Sequence, residues 1–137
     1  MIVAGLGLRG SATRDSLRDA LARALQAAGL DGVHCVSLLA TPRDKLGADG
    51  LVQLARELGV ALVGVDREWL RAAPTLTDHG FVRAVRGSGS PAEAAALIGV
   101  QMRGAPGARL LGPRSVSADA RATCALATST PAGANCP

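Results

Sequence analysis

The chain has 137 residues, 48% of them apolar, and a formal net charge of +4, a size that buries about two-thirds of the unfolded surface in one core without staples. No apolar run approaches the roughly 20 residues that cross a bilayer, and the N-terminus lacks the parts of a signal peptide, so a cytoplasmic protein with no membrane partner is expected. The basic residues are scattered, and Trp69 and Phe81 are the only aromatics; bases would have nothing to stack on, which excludes nucleic acid as a favoured partner and leaves a small acidic ligand open.

Residues 2–6 form a short apolar run suited to a buried strand, and from Leu17 the apolar residues Leu17, Leu21, Ala24, Leu25 and Ala28 follow helical spacing. Thr13 can cap this helix and Gly29 can end it. Residues 33–40 read as a second strand. The turn-prone stretch TPRDKLGADG follows, then a helix showing Leu51, Leu54, Ala55 and Leu58 on one face, with Gly59 behind it. The run VALVGV, residues 60–65, is too continuously apolar for a half-exposed strand and is expected as a central parallel one.

Asp66 can cap a short helix through Leu70 that stops before Pro74, and residues 77–86, though ambiguous, are expected as a short helix. In RGSGSPAEAAALIG, Ser90 at the cap, Pro91 at the first helical position and Glu93 in the first turn read as a capping box. Residues 109–111 and 122–127 read as strands of an antiparallel hairpin at one side of the sheet. The pattern predicts a single three-layer α/β/α domain over residues 1–128, with a mixed, mainly parallel sheet of about five strands, and a disordered tail over 129–137.

Cys35, Cys124 and Cys136 are odd in number and have no ligand spacing, so Cys35 and Cys124 read as core thiols and no metal is expected. Loops leaving the carboxyl ends of parallel strands converge on one rim, where such sheets bind ligands. GLGLRGSAT, TPRDKLGAD and Asp66 should all lie there.

The segment GLGLRG has the glycine spacing of a dinucleotide fingerprint. That fingerprint needs the helix to start almost within the glycines and an acid after the second strand. Here the cap, Thr13, falls three residues beyond Gly10, and Asp31 precedes the second strand, so dinucleotide binding is not favoured. Gly5, Gly7 and Gly10 either serve backbone turns and close packing or form an anion loop with Arg9, Ser11, Thr13 and the helix N-terminus, each exposed term contributing about 0.3–1 kcal/mol. Gly87, Ser88, Gly89 and Ser90 are a second candidate anion loop, against which Glu93 already satisfies that helix end.

These stretches together resemble the CobE and CbiG C-terminal-domain family of cobalamin (vitamin B12) biosynthesis. GLGLRGSAT resembles that family's opening loop, G-x-G-C-R-R-G-T-S, and SLLATPRDKLGADGLVQLARELGVAL its strand, lysine-containing loop and helix. VRGSGSPAEAAAL and ARLLGPRSVSADARATCALA resemble its later glycine segment and closing hairpin. Leu8 stands for the loop cysteine, Gly10 for the second basic residue, Ser11 for the glycine and Ala12 for the threonine, while Arg43 and Ala48 stand where acids are common. Lys45, the single lysine, falls on the family's lysine position.

The resemblance implies a cobalamin-pathway protein most like the stand-alone CobE form, with a precorrin or corrinoid polycarboxylate as ligand, other pathway enzymes as candidate partners and no cofactor. Such a ligand needs dispersed anion-binding points beside apolar surface, which Gly7, Arg9, Gly10, Ser11, Thr13, Arg43, Asp44, Lys45 and the Gly87 to Ser90 loop would supply. The accessory or carrier role is preferred. The alternatives are a hydrolase opening the ring-A lactone of cobalt-precorrin-5A, as the resemblance to the CbiG group implies, and a non-catalytic docking domain. No triad or nucleophile elbow is present, so catalytic residues stay unassigned; Asp44, Asp66, His79 and Glu93 are the acids and bases open to such a step.

Overall fold

The computed structural model describes residues 1–66, 91–103, 107–112 and 114–129. Calls on the helix after Asp66, residues 77–86, His79, the Gly87 to Ser90 loop and the tail beyond Ser129 lie outside them. Within them the elements are β1 (Ile2–Leu8), α1 (Arg14–Ala27), β2 (Leu38–Pro42), α2 (Asp49–Leu58), β3 (Ala61–Val65), α3 (Pro91–Met102), β4 (Arg109–Leu110), β5 (Ser115–Val116) and β6 (Ala122–Thr128). Helix α1 forms where the apolar spacing and the Thr13 cap place it, and Gly29 ends it with a positive φ of 74°. Gly59 does the same for α2, at φ 68°, because a residue without a Cβ enters the left-handed region freely.

The sheet order is β3-β2-β1-β6-β4, with β5 paired to β6. Strands β1, β2 and β3 are parallel, and β6 runs antiparallel to β1, β4 and β5. Alternation along β1 divides the core. Ile2, Ala4 and Leu6 pack with Leu17, Leu21, Leu51 and Leu54 of α1 and α2, while Val3 packs with Ala40, Ala95, Ala96 and Ile98 on the α3 side. The result is the expected α/β/α arrangement with a mixed sheet.

Three expectations change. Residues 33–35 form a 3₁₀ turn, Val33–Cys35, and β2 starts at Leu38. Its parallel partner β1 begins at Ile2, whose carbonyl accepts from the Ser37 N–H at 2.8 Å and whose neighbour Val3 pairs with Leu38, so residues 33–36 have no strand beside them among the described residues. The apolar run of β3 is an end strand among the described residues, with Ala61 exposed; its Leu62 and Val63 meet cores on opposite faces, so both faces are apolar. Cys124 is a buried free thiol as expected, but Cys35 is buried and disulfide-bonded, because sequence spacing does not say which cysteines meet in space.

Helix α3 approaches β1 very closely. A Cβ on Gly5 would run into the Ala92 carbonyl oxygen and come within 2.5 Å of the Ala96 nitrogen, and one on Gly99 would come within 2.7 Å of Val3 Cγ1. A Cβ on Gly10 would meet nothing within 4 Å. Gly5→Ala is therefore expected to cost about 3 kcal/mol or more, at the upper end of overpacking, and Gly10→Ala less than about 0.5 kcal/mol; urea unfolding midpoints of the two variants separate these cases.

Candidate functional site

Strands β1, β2 and β3 end together at Leu8, Pro42 and Val65. Strand β6 starts beside them, with Ala122 opposite Leu8. Helix α3 aims its N-terminus at the same end, since Ala92 lies over Gly5 and Gly99 over Val3. The rim expected from the parallel strands is thus assembled, but it distributes the candidate residues unevenly.

Gly5 and Gly7 belong to β1 itself, and the first loop is only residues 9–12, closed by the Ala12 N–H donating to the Arg9 carbonyl at 2.9 Å. Gly10 and Ser11 are exposed. Thr13 is engaged in a capping box: its hydroxyl accepts from the Ser16 N–H at 3.1 Å, and the Ser16 hydroxyl accepts from the Thr13 N–H at 3.3 Å. Helix α2 packs against the same helix end, where a Cβ on Gly50 would come within 2.7 Å of the Arg14 nitrogen. The α1 N-terminus, read from sequence as an anion site, is largely occupied by the protein's own groups.

The second loop begins with a 3₁₀ turn, Arg43–Lys45. The Arg43 guanidinium donates to Asp66 at 2.8 Å, a hydrogen bond that raises its already high pKa. Asp66 thus neutralises one of the expected anion-binding cations. Asp44 is exposed and Lys45 half-buried on this turn. Glu93, in the first turn of α3, is 4% exposed and lies 3.8 Å from the Arg114 guanidinium.

What the structure does bring together is a recess of about 300 Å³ at the start of β6, lined by Gly7, Leu8, Arg9, Arg114, Val116 and Ala120 through Thr123. Gly7 and Thr123 are paired across the strands at its floor. The Arg9 N–H donates to the Arg121 carbonyl at 2.9 Å, so these two arginines spring from adjoining backbone. Neither makes an ion pair among the described residues, although the Arg121 charge helps lower the pKa of the nearby Asp119 carboxylate, whereas Arg114 is paired with Glu93. Arg9 and Gly7 were legible from the first loop. Arg114, Arg121 and Thr123 were not, and the available signal was two arginines flanking the polar turn of the closing hairpin.

That turn is held to α1 by two carboxylates. Asp19 accepts from the Ala118 N–H at 2.8 Å, which lowers its pKa. Asp119 accepts at 2.5 Å from the Ser117 hydroxyl, at 2.5 Å from the Ser16 hydroxyl and at 3.1 Å from the Arg121 N–H. Ala120 beside it has φ 60°, a left-handed conformation that costs a non-glycine residue about 1–2 kcal/mol. The hydrogen bonds of its neighbours hold it there.

Chemically the recess offers charge-assisted donors and a half-apolar wall, suited to organic carboxylates. Burial pushes the Cys124 thiol up and keeps it neutral, so it is no nucleophile. Among the described residues no group of three or more His, Cys, Asp or Glu is placed to hold a metal, and no helix is long and apolar enough to cross a membrane.

Fold and recess together define a small α/β/α protein with a cationic pocket where antiparallel β6 meets the parallel strands. The chain belongs to the family described as cobalamin synthesis G C-terminus, whose model matches residues 2–127; it is thus a member of the CobE/CbiG family of cobalamin biosynthesis proteins. It is similar to the crystal structure of CobE, a protein from the cobalamin (vitamin B12) biosynthetic pathway, with 32% identity over 93% of this chain and 89% of that one and a TM-score of 0.74. It is also similar to cobalamin biosynthesis protein chiG from Agrobacterium tumefaciens str. C58, with 32% identity over 95% and 99% of the two chains and a TM-score of 0.68. A cobalamin biosynthesis protein G homolog from Sulfolobus solfataricus shares the fold, at 19% identity and a TM-score of 0.65, over 95% of this chain and 37% of that one. No curated protein matches the chain.

The three donors, Ser117 first, hold the Asp119 carboxyl at about 2 against its ordinary 3.8. The folded value is the lower one, so the stabilisation is complete above the unfolded pKa and is lost as pH falls through the folded one. Asp119→Asn is expected to lower the urea midpoint at neutral pH, and the gap from the parent should close between about pH 4 and pH 2.

Proposed function

We propose that this protein binds a polycarboxylate precorrin or corrinoid intermediate of cobalamin biosynthesis in the recess at the β1 and β6 ends, as an accessory or carrier module of the pathway. The observation that carries this reading is the pair Arg9 and Arg121, two adjoining cations without ion-pair partners among the described residues, beside the exposed apolar side chain of Val116. An intermediate of that class has acetate and propionate carboxylates around an apolar ring and matches both halves of the surface. Arg forks recognise carboxylates bidentately, with geometry as well as charge. Membership of a cobalamin biosynthesis family supports this choice of ligand class.

Lactone hydrolysis is less supported. A hydrolase needs a base for water and donors for the oxyanion. The arginines could serve as donors, but the described lining of the recess contains no His, Cys, Asp or Glu. The acid that reaches it through Arg114, Glu93, is already opposite a guanidinium.

Anaerobic incubation of the purified protein with a mixture of precorrin intermediates, followed by gel filtration, absorbance and mass spectrometry, tests the role. An unaltered co-eluting pigment is the expected result, a converted pigment would make the protein an enzyme, and absence of pigment would overturn the binding reading. Arg9→Ala and Arg121→Ala should each weaken binding about tenfold, the loss of one charge-assisted contact. Arg43→Ala, already neutralised by Asp66, should change it less than about threefold.

A further inference from the structure

We infer that the recess takes its ligand edge-on, gripping the carboxylates of a single pyrrole unit and leaving the rest of the macrocycle in solvent. The inference rests on the binding role proposed above and adds the orientation and the part of the ligand that is recognised.

The first ground is size. Pockets that engulf a drug-sized ligand run from about 300 to 1,000 Å³, and this recess, at about 300 Å³, lies at the lower limit. A tetrapyrrole with carboxylate arms on every ring exceeds a drug-sized ligand, so only a part of it enters.

Cation placement is the second ground. Arg9 and Arg121 leave the backbone from positions joined by one hydrogen bond of 2.9 Å. Two guanidiniums on adjoining backbone suit two carboxylates on adjoining carbons, as the acetate and propionate of one pyrrole are. Carboxylates on opposite sides of a macrocycle would instead need cations on opposite walls, and the third arginine, Arg114, is turned to Glu93 at 3.8 Å.

The walls are the third. None of the described lining residues is aromatic, so no side chain among them stacks on the face of a large ring. The floor is Gly7 beside Thr123, with Leu8 and Val116 as the apolar surface. Val116 is exposed, and one short aliphatic side chain meets the methyl groups and carbons of a ring edge but does not span a ring face. A ligand held this way keeps its opposite edge reachable from solvent.

Two probes test the orientation. Uroporphyrin is a fluorescent tetrapyrrole with an acetate and a propionate on every pyrrole, and porphobilinogen is the single pyrrole with the same pair of arms. Edge-on binding predicts that porphobilinogen displaces bound uroporphyrin, and that acrylamide quenches bound uroporphyrin almost as well as free. Arg9→Ala and Arg121→Ala should each raise the Kd for both probes about tenfold. Arg9→Lys and Arg121→Lys, which keep the charge and lose the fork, should produce smaller losses.

Uroporphyrin that binds but is shielded from acrylamide and not displaced by porphobilinogen would overturn the edge-on inference while leaving the binding role intact. Failure of both probes, together with no co-eluting pigment from the precorrin mixture, would remove the binding role and the inference with it.

Discussion

The backbone of α3 lies so close to β1 that position 5 has room for no side chain at all. A Cβ there would collide with the Ala92 carbonyl, and the same restriction operates at Gly99 against Val3 and Ala40. Small residues fill this interface from both sides, with Ala92, Ala95 and Ala96 on the helix and Ala40, Ala125 and Ala127 on the strands. Close approach increases the number of dispersion contacts each alanine makes, which compensates for their small individual burial. It also fixes the axial position of the helix, so that Glu93 in its first turn stands at the carboxyl ends of the parallel strands, opposite Arg114. The rim is thus set by packing well inside the molecule.

The protein has many arginines, and among the described residues some are ion-paired and others are not. Arg18 meets Glu57 at 2.9 Å between α1 and α2, Arg23 meets Asp19 at 3.0 Å within α1, and Arg43 meets Asp66 at 2.8 Å across the β2 and β3 ends. These are exposed pairs, each contributing about 0–1 kcal/mol. Arg9 and Arg121 stand outside this pattern, and the residues around them are better held than the arginines themselves. Asp19 and Asp119 fasten the β5–β6 turn to α1 through Ala118 and Ser16, giving the cations a fixed base. Preorganised cations bind an anion at lower entropic cost than mobile ones.

The departures from the family's opening loop acquire a place in this arrangement. Leu8 ends β1 and lines the recess, so the residue standing for the family's loop cysteine supplies apolar wall where a thiol would be. Gly10 sits in the exposed turn beyond the recess, where a second basic residue would add charge at the rim. Of these two positions Leu8 also packs against the α1 and α2 side of the core, whereas Gly10 lies in open space.

Local chemistry made much of this legible. Helical spacing and caps act over three or four residues, which is why α1, α2 and the start of α3 follow from Thr13, Gly29, Gly59 and Pro91, and why Arg9 was a candidate from the first loop. The four family-like stretches in their order identified the family, since order along a chain survives when side chains change. What depended on distant partners was not legible. The start of β2 is decided by where β1 begins, and the place of β3 at the end of the order among the described residues by which edges the other strands occupy. The recess unites Gly7 and Arg9 with Arg114, Arg121 and Thr123, more than a hundred residues away, because β6 pairs antiparallel with β1. A sequence determines which segments can be helix or strand through interactions between near neighbours; strand order and register come from burying all the apolar faces at once, so only the tertiary structure decided which cations share a site.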